Sequence, residues 1–532
     1  MGGGGSEGRE RVRVSVPEPR PNVILIMSDQ HRADAMGCAG NTIVRTPALD
    51  RLAREGVLFE STFTQCPVCM ASRAAIHTGR YPRTVRVPSM GLVSPTEVTL
   101  AETFQRAGYA TGLFGKLHFN HEMYSLLTLK RDRPVDDAEP FLEMAGIDTT
   151  PYRAASRDPF KRNYGFQTSF GVDDNLWGHY LDWLASTGPQ HVAHHVSENW
   201  GAERDGVKFA SSPPARRMYP DLVRDFFDSN MPAELHPSTF IMQRTIEFIR
   251  EHKDRPFFAH CSFVDPHHPF NAPIPYNRMY SPAQMPVPPA YDRETCFPPD
   301  LPRGVAGQIE RGASYPDELW QWCLANYYGM ISNIDSCIER LLATLSELGL
   351  RENTIIVYTS DHGEYAGDHR LLYKGSLVFD GIMRIPLIFS WKDHVKAGRR
   401  VNDLVQEIDI YPTLMRLAGL PVHAGVQGKD LSEALVAQAP GTVGYESVFC
   451  ELDALESRTF VPCQVVRTRE WKLEYFPHQH TGMLYDLVHD PGELRNRYFD
   501  PAYAAIRERM FHLLLDTMYD IRDPQPISLG QA

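Results

Sequence analysis

"NVILIM" (residues 22–27) is apolar from Val23 onward, with no polar alternation, and Ser28, Asp29 and Gln30 follow at once. A strand with one wet face alternates apolar and polar side chains. A strand buried on both faces reads as an unbroken β-branched run, as in a parallel sheet covered by helices. "PFFAHCSFV" (256–264), "NTIIVYTS" (353–360), "RIPLIFSW" (384–391) and, more weakly, "YATGLF" (109–114) read the same way. Helical patterns lie between them. "TPALDRLAREG" (46–56) has Thr46 as a cap, Pro47 in the first turn and Gly56 at the exit. "ANYYGMISNIDSCIERLLATLSELG" (325–349) carries an apolar stripe through Met330, Ile334, Ile338, Leu341, Leu345 and Leu348. Strand alternating with helix predicts an α/β fold with a mainly parallel central sheet.

The chain has 532 residues, 42% hydrophobic and 23% charged, with a formal net charge of -12. That is globular composition, and its acidity argues against a nucleic-acid partner. The nine cysteines are odd in number and widely dispersed, which argues against a disulfide framework. Residues 1–20 are Gly-rich and then charged, without an apolar signal region, and are expected to be a disordered leader. Apolar runs such as "VILIM" are too short to span a bilayer. Together these features predict a cytoplasmic protein without a membrane partner. A homo-oligomer is left open.

The alternating pattern breaks over 121–235, which is irregular and rich in charge, aromatics and His; it reads as an insertion in a catalytic domain spanning 21–440. Pro-rich residues 271–291 suggest an ordered surface wrap. After a loose connection at 421–445, "YESVFCELDAL", "CQVVRTREWKLEYFP" and "GMLYDLVHD" read as strands before a helix at 501–519. Residues 441–532 are therefore expected to form a smaller α+β subdomain with an antiparallel sheet.

Ligands of open α/β sheets sit beyond the carboxyl ends of the strands. Four runs here deliver titratable residues to that edge: Asp29-Gln30, Asp361-His362-Gly363, Asp265-Pro266-His267-His268 and Gly115-Lys116-Leu117-His118. Asp29 with Gln30 and Asp361 with His362 make a reasonable cradle for a hard divalent cation, Ca²⁺ or Mg²⁺, and the imidazole tilts it towards Mn²⁺. Taken singly, an Asp after a strand is a turn former or cap, Lys116 and His118 are a solvated edge, and "PHHP" is a rigid turn. The convergence of four such ends is what favours a site.

"QCPVCMASRAAIHTGRYP" (65–82) holds Cys66 and Cys69 at the spacing of a redox or zinc pair. Ala71 to Ile76 suits a helix, so Cys69 falls at a helix N-terminus, where an anion is favoured and a thiol pKa falls. Arg73, one turn on, can fork onto a tetrahedral oxyanion. Cys69-Met70-Ala71-Ser72-Arg73 followed by Thr78-Gly79-Arg80 resembles the signature of the type I sulfatases, Cys-x-Pro/Ala-x-Arg and then Thr-Gly-Arg. The resemblance covers nearly the whole chain through "NVILIMSDQHRADAMGCAGN", "GYATGLFGKLHF", "SFVDPHHPF", "SDHGEYAGDHRLLYKG", "DIYPTLMRLAGL" and "MLYDLVHDPGELRN".

This resemblance implies an alkaline phosphatase-like sandwich with a smaller C-terminal domain. It implies that Cys69 is oxidised to formylglycine by a maturing enzyme, and that Asp29, Gln30, Asp361, His362 and residue 69 hold one divalent cation, usually Ca²⁺. Arg73 and Lys116 would hold the formylglycine hydrate and the sulfate oxygens. His118 would be the base that collapses the intermediate, and His267 and Lys374 would grip the ester and protonate the leaving oxygen. The implied activity is hydrolysis of aryl or carbohydrate sulfate monoesters.

Two features depart from the common sulfatase pattern: Gln30 stands in the first block and His362 in the metal block. That pair resembles the phosphonate monoester hydrolases, whereas Lys116-x-His118 resembles sulfatases. Phosphonate monoester or phosphodiester hydrolysis is therefore the alternative activity, and a non-catalytic binding protein retaining a thiol at 69 is a third reading. Trp177, His179 and His268 are candidate substrate contacts; Tyr180 and Trp183 share the aromatic spacing, which equally describes a packed core. Only Cys69 has Arg four residues on, so the Cys66–Cys69 spacing is read as accidental.

Overall fold

The computed structural model describes residues 20–524 apart from 90, 92, 120–162, 173, 175, 177–178, 193–194, 196–202, 205–206, 209–228, 302, 438–440 and 454–460. The expected leader up to residue 19, most of the stretch read as an insertion, and Trp177 lie outside the described residues.

The main sheet is built from β1 (Asn22–Ser28), β2 (Val57–Phe63), β3 (Ala110–Gly115), β4 (Thr168–Gly171), β5 (Phe257–Ser262), β6 (Thr354–Ser360), β7 (Arg384–Ser390), β8 (Arg399–Val401) and β9 (Val405–Gln406). The strand order is β8-β2-β7-β6-β1-β5-β3-β4, with β9 also on β2. β1 lies between two parallel neighbours, Val23 opposite both Phe258 and Ile355. β7 runs antiparallel to β6 and β2, so "RIPLIFSW" is a buried strand of the opposite direction. β4 comes from within the 121–235 stretch and pairs in parallel with β3 at the edge.

Helices cover both faces. They include α1 (Pro47–Glu55), α2 (Cys69–Thr78), α3 (Leu100–Arg106), α4 (His179–Thr187), α5 (Pro237–Glu251), α6 (Asp317–Glu347) and α7 (Ile410–Leu417). The pleat of β1 sends Ile24 and Ile26 into one core with Leu49, Ile241 and Ile338. Val23, Leu25 and Met27 enter another with Ile76, Phe104 and Leu414. That two-sided burial is why the run shows no alternation. The cap of α1 differs from the expectation: Thr46 Oγ1 bonds Asp50 (3.1 Å) instead of the helix start. Asp335 of α6 accepts from the Ala48 and Leu49 N–H groups at 3.0 and 2.9 Å.

The second sheet is an antiparallel meander of β10 (Val448–Leu452), β11 (Cys463–Arg467), β12 (Trp471–Phe476) and β13 (Thr481–Asp486). α8 (Ala504–Asp520) packs Met510 and Leu514 against Val466 and Leu473 on one face. The other face, with Cys450, Val465 and Met483, packs against Met70, Ala71 and Ala74 of α2 and against Leu377 to Phe379. The smaller sheet thus backs the helix that begins at Cys69. Among the described residues no helix is long and apolar enough to cross a membrane.

Candidate active site

The ends of β1, β3, β5 and β6 meet the start of α2 at one edge of the main sheet. Asp29 N–H donates to Asp265 O (3.1 Å), and the backbone N–H of Gln30 donates to Asp361 Oδ1 (3.0 Å), so the turns after three strands are latched together. Gln30 takes φ 66 to make that turn. α2 starts at Cys69 after the extended Val68 and stops at Gly79, whose φ of 65 suits glycine and whose N–H caps Ala75 O. All ten of its residues are buried.

Arg73 organises the edge. Its Nε donates to Asp361 Oδ2 (2.8 Å), one Nη2 proton to Asp29 Oδ2 (3.2 Å), and Nη1 to Lys116 O (2.7 Å) and Ser262 Oγ (2.8 Å). Four of its five N–H donors are therefore committed to the protein. Arg73 is first the pairing partner of two buried carboxylates, and only one donor is left for an anion. Although burial would raise the Asp361 pKa, Arg73 holds it below the usual carboxylate value.

The Cys69 sulfur lies 3.2 Å from His362 Nε2, 3.7 Å from Asp29 Oδ1 and 3.0 Å from Lys374 Nζ. Burial alone would raise its thiol pKa; Lys116, Lys374 and His362 instead pull it well below the ordinary value. Lys116 Nζ pairs with Asp29 (2.6 Å) and with Asp174, and these carboxylates hold its pKa well above normal against burial. Lys374 Nζ also reaches Gln30 Oε1 (3.2 Å), His362 Nε2 (3.2 Å) and His267 Nε2 (3.3 Å). His118, at φ 57, has no nitrogen or oxygen partner for either buried ring nitrogen among the described residues; its ring lies within reach of the Cys69 sulfur.

Donor atoms of Asp29, Cys69, Asp361 and His362 all lie within 4.8 Å of one another, fully enclosed. Gln30 adds an amide oxygen, turned inward because its Nε2 donates to Glu364. The Lys374 ammonium bonds Gln30, His362 and Cys69 at this ring. Two carboxylates, an amide oxygen and one imidazole fit a hard or borderline divalent cation.

All ten residues expected to act around position 69 are thus brought to one edge. His268 stacks on His267 (3.9 Å between centroids) and lies tilted against Tyr373 (4.3 Å), beside the site. His267 Nδ1 donates to His268 O (2.7 Å), which leaves its Nε2 facing Lys374. His179, by contrast, begins α4 and packs edge-on against Phe170 (5.3 Å), in a shallow groove with Trp183 and Arg244. None of its described contacts is with the groups around Cys69. Cys66 is buried with its thiol towards Pro88 O (3.5 Å), and every described cysteine is free.

The sulfatase family model matches the chain over residues 21–420. The chain belongs to the sulfatase family. Its distal part, residues 365–520, matches the model of the C-terminal region of N-sulphoglucosamine sulphohydrolase. This sulfatase-family hydrolase is similar to the arylsulfatase of Clostridium perfringens (strain 13 / Type A), 30% identical over 512 residues and covering 93% of each chain. It is also similar to the multifunctional alkaline phosphatase superfamily protein PehA of Trinickia caryophylli, 28% identical over 525 residues, covering 92% of this chain and 93% of that one. Among solved structures it resembles the phosphonate monoester hydrolase of Agrobacterium radiobacter, with a TM-score of 0.75, 27% identity, and coverage of 96% of this chain and 98% of that one.

Three residues at this candidate site escaped the reading of the sequence. Asp174 pairs with Lys116 from a segment with no motif. Glu364 fixes the Gln30 amide and has a pKa pushed up to about 7 by burial; its place three residues after Asp361 was the available signal. Glu407 reaches the site through Ser72.

Proposed function

We propose that the chain hydrolyses sulfate monoesters of aryl or carbohydrate alcohols and releases inorganic sulfate, with residue 69 acting as formylglycine beside one divalent cation, Ca²⁺ in the first instance. The observation that carries this reading is the Cys69 position itself: the first residue of α2, enclosed by Lys116, Lys374, His118 and the other three members of the donor ring. A thiol needs no such surroundings for packing. A formylglycine hydrate supplies one hydroxyl to attack sulfur and a second whose deprotonation expels sulfate, and a bound cation lowers the pKa of the attacking one.

The chain's own groups divide the remaining work. Asp29, Gln30, Asp361 and His362 would hold the cation, and Arg73 fixes the two carboxylates in place. Lys116 and Lys374 bring buried positive charge to where sulfate oxygens gather negative charge. His118, with both nitrogens uncommitted to nitrogen or oxygen, is placed to take a proton from residue 69. Lys374 and His267, 3.3 Å apart, are placed to deliver a proton to the leaving oxygen.

Phosphonate monoester hydrolysis is the second reading, favoured by the Gln30–His362 pair in the ring and by the likeness to a solved phosphonate monoester hydrolase. Rates on one aryl sulfate and the matching aryl phosphonate monoester, measured with Ca²⁺ and with Mn²⁺, separate the two. The sulfatase reading expects the higher kcat/KM on the sulfate; a large reversal would assign the chain to phosphonates. Mass spectrometry of the peptide spanning residue 69 tests the nucleophile: active protein carrying only thiol there would sink the formylglycine mechanism. A maturing enzyme is the partner this reading requires.

A further inference from the structure

Glu407 lies in the turn between β9 and α7, fully buried, and none of the described Lys or Arg side chains forms an ion pair with it. Its Oε1 accepts from the backbone N–H of Gln65 (3.1 Å). Its Oε2 lies 2.7 Å from Ser72 Oγ, and that same hydroxyl lies 2.6 Å from the backbone carbonyl oxygen of Asp361. A serine hydroxyl has one proton, and a carbonyl can only accept. If Ser72 donates to Asp361 O, the contact with Glu407 is a hydrogen bond only when the carboxyl carries the proton and donates to Ser72. If Ser72 donates to a Glu407 carboxylate instead, two lone-pair oxygens face each other at 2.6 Å. Thr64 also lies within hydrogen-bonding reach of the Glu407 carboxyl, but its hydroxyl donates to Cys66 O (2.9 Å), and the single proton of Ser72 still has two oxygens to serve.

The geometry points to Glu407 as a protonated positioning residue, a neutral carboxylic acid that donates to Ser72 so that Ser72 can donate to Asp361 O. Burial independently favours the neutral acid, and the ionisable neighbours Asp361, Cys66 and Cys450 offer no positive charge against that preference. The relay joins three pieces. Ser72 is on the helix that presents Cys69 and Arg73; Asp361 begins the turn that presents two of the four donor-ring residues; Glu407 anchors both to the β2–α2 segment at Gln65. It sets the distance between the residue-69 position and the Asp361–His362 turn without touching the reacting atoms.

The kinetic part of the test rests on the proposed role of residue 69, and the spectroscopic part does not. Glu407→Gln keeps the pattern of a neutral acid, with an amide oxygen to accept from Gln65 and an amide N–H to donate to Ser72. It should retain kcat/KM within about threefold, while Glu407→Ala and Ser72→Ala lose about tenfold or more, mainly in kcat. Each protein is compared at equal formylglycine occupancy, measured by mass spectrometry. Difference infrared spectra of wild type minus Glu407→Gln at neutral pH should show a protonated-carboxyl C=O stretch that the variant lacks. A carboxylate band lost in its place overturns the assignment, as does Glu407→Gln falling as far as Glu407→Ala. Should Glu407→Ala fail to fold, the infrared comparison with Glu407→Gln still decides the matter.

Discussion

Two buried charged clusters among the described residues are closed in different ways. Beneath the C-terminal sheet, Lys472 Nζ lies 2.6 Å from Glu493 and 3.2 Å from Asp380, and Arg467 lies 3.0 Å from Asp380. Glu474 takes the Val378 N–H on both oxygens (3.0 and 3.2 Å), and Glu493 takes the Asp380 N–H (2.7 Å). Apart from Arg467 Nε, which has no hydrogen-bond partner among the described residues, these groups spend their bonding capacity on one another and on the backbone around Val378 to Asp380. At the proposed catalytic edge, Arg73, Asp29, Asp361 and Lys116 pair in the same manner. There, however, four ligand atoms also lie within 4.8 Å of one another, and among the described residues His118 has no nitrogen or oxygen partner for either ring nitrogen. Buried charge is costly unless paired. A supporting cluster recovers that cost internally, whereas an active site leaves part of it for a ligand to recover. Burial and charge count alone would not tell the two apart.

The sharpest way to break this distinction is to remove one group from each cluster. Cys69→Ala should lower kcat on an aryl sulfate by at least about 10³-fold. Its urea midpoint should stay close to that of wild type, since every Arg73 and Lys116 pair survives. A variant that kept a tenth of the activity would show that residue 69 is not the nucleophile. Lys472→Met should behave in the opposite way. It leaves the buried Glu493 without its cation, while Asp380 keeps Arg467, and should cost about 3 kcal/mol of stability in urea unfolding. Its kcat should fall less than that of Cys69→Ala, through loosening of the loop that carries Lys374. Unchanged stability would mean that the Lys472 cluster does not support the fold.

Much of this arrangement could be read in the sequence, for physical reasons. Strands buried on both faces leave a continuous apolar signature, and the polar residues directly after them had to fall at one edge of a parallel sheet. Strand direction leaves no such trace: β7 reads like β1 yet runs antiparallel. β4, at the sheet edge with Ser169 exposed, has no apolar run to reveal it. α6 begins at Asp317, eight residues ahead of the quoted pattern, because Pro316 sets its start and its first turns pack Leu319 and Trp320 into a separate core. At the site, strand ends and the Cys-x-x-x-Arg spacing were visible, whereas Lys374 was reached only through the resemblance. Asp174 and Glu407 act through contacts made by distant segments, and no local pattern announces such partners.

The smallest expected effect concerns pH and again separates the clusters. Burial lifts the Glu474 carboxyl from 4.5 to about 8, with Lys472 opposing the shift. The folded chain therefore keeps this proton to a higher pH than the unfolded chain does. Between those two values the folded state binds more protons, so stability must fall as pH rises through the window. Glu474→Gln removes that titration and retains an oxygen for the Val378 N–H. Its Tm should decline less steeply than that of wild type between about pH 5 and pH 8, so that the gap between the two curves widens towards the alkaline end. Cys69→Ala, assayed in the same way, should run parallel to wild type, because Glu474 and its partners are untouched. If the Glu474→Gln and wild-type curves also run parallel, Glu474 is ionised in the folded protein, and the supporting cluster is held by one more negative charge than its geometry implies.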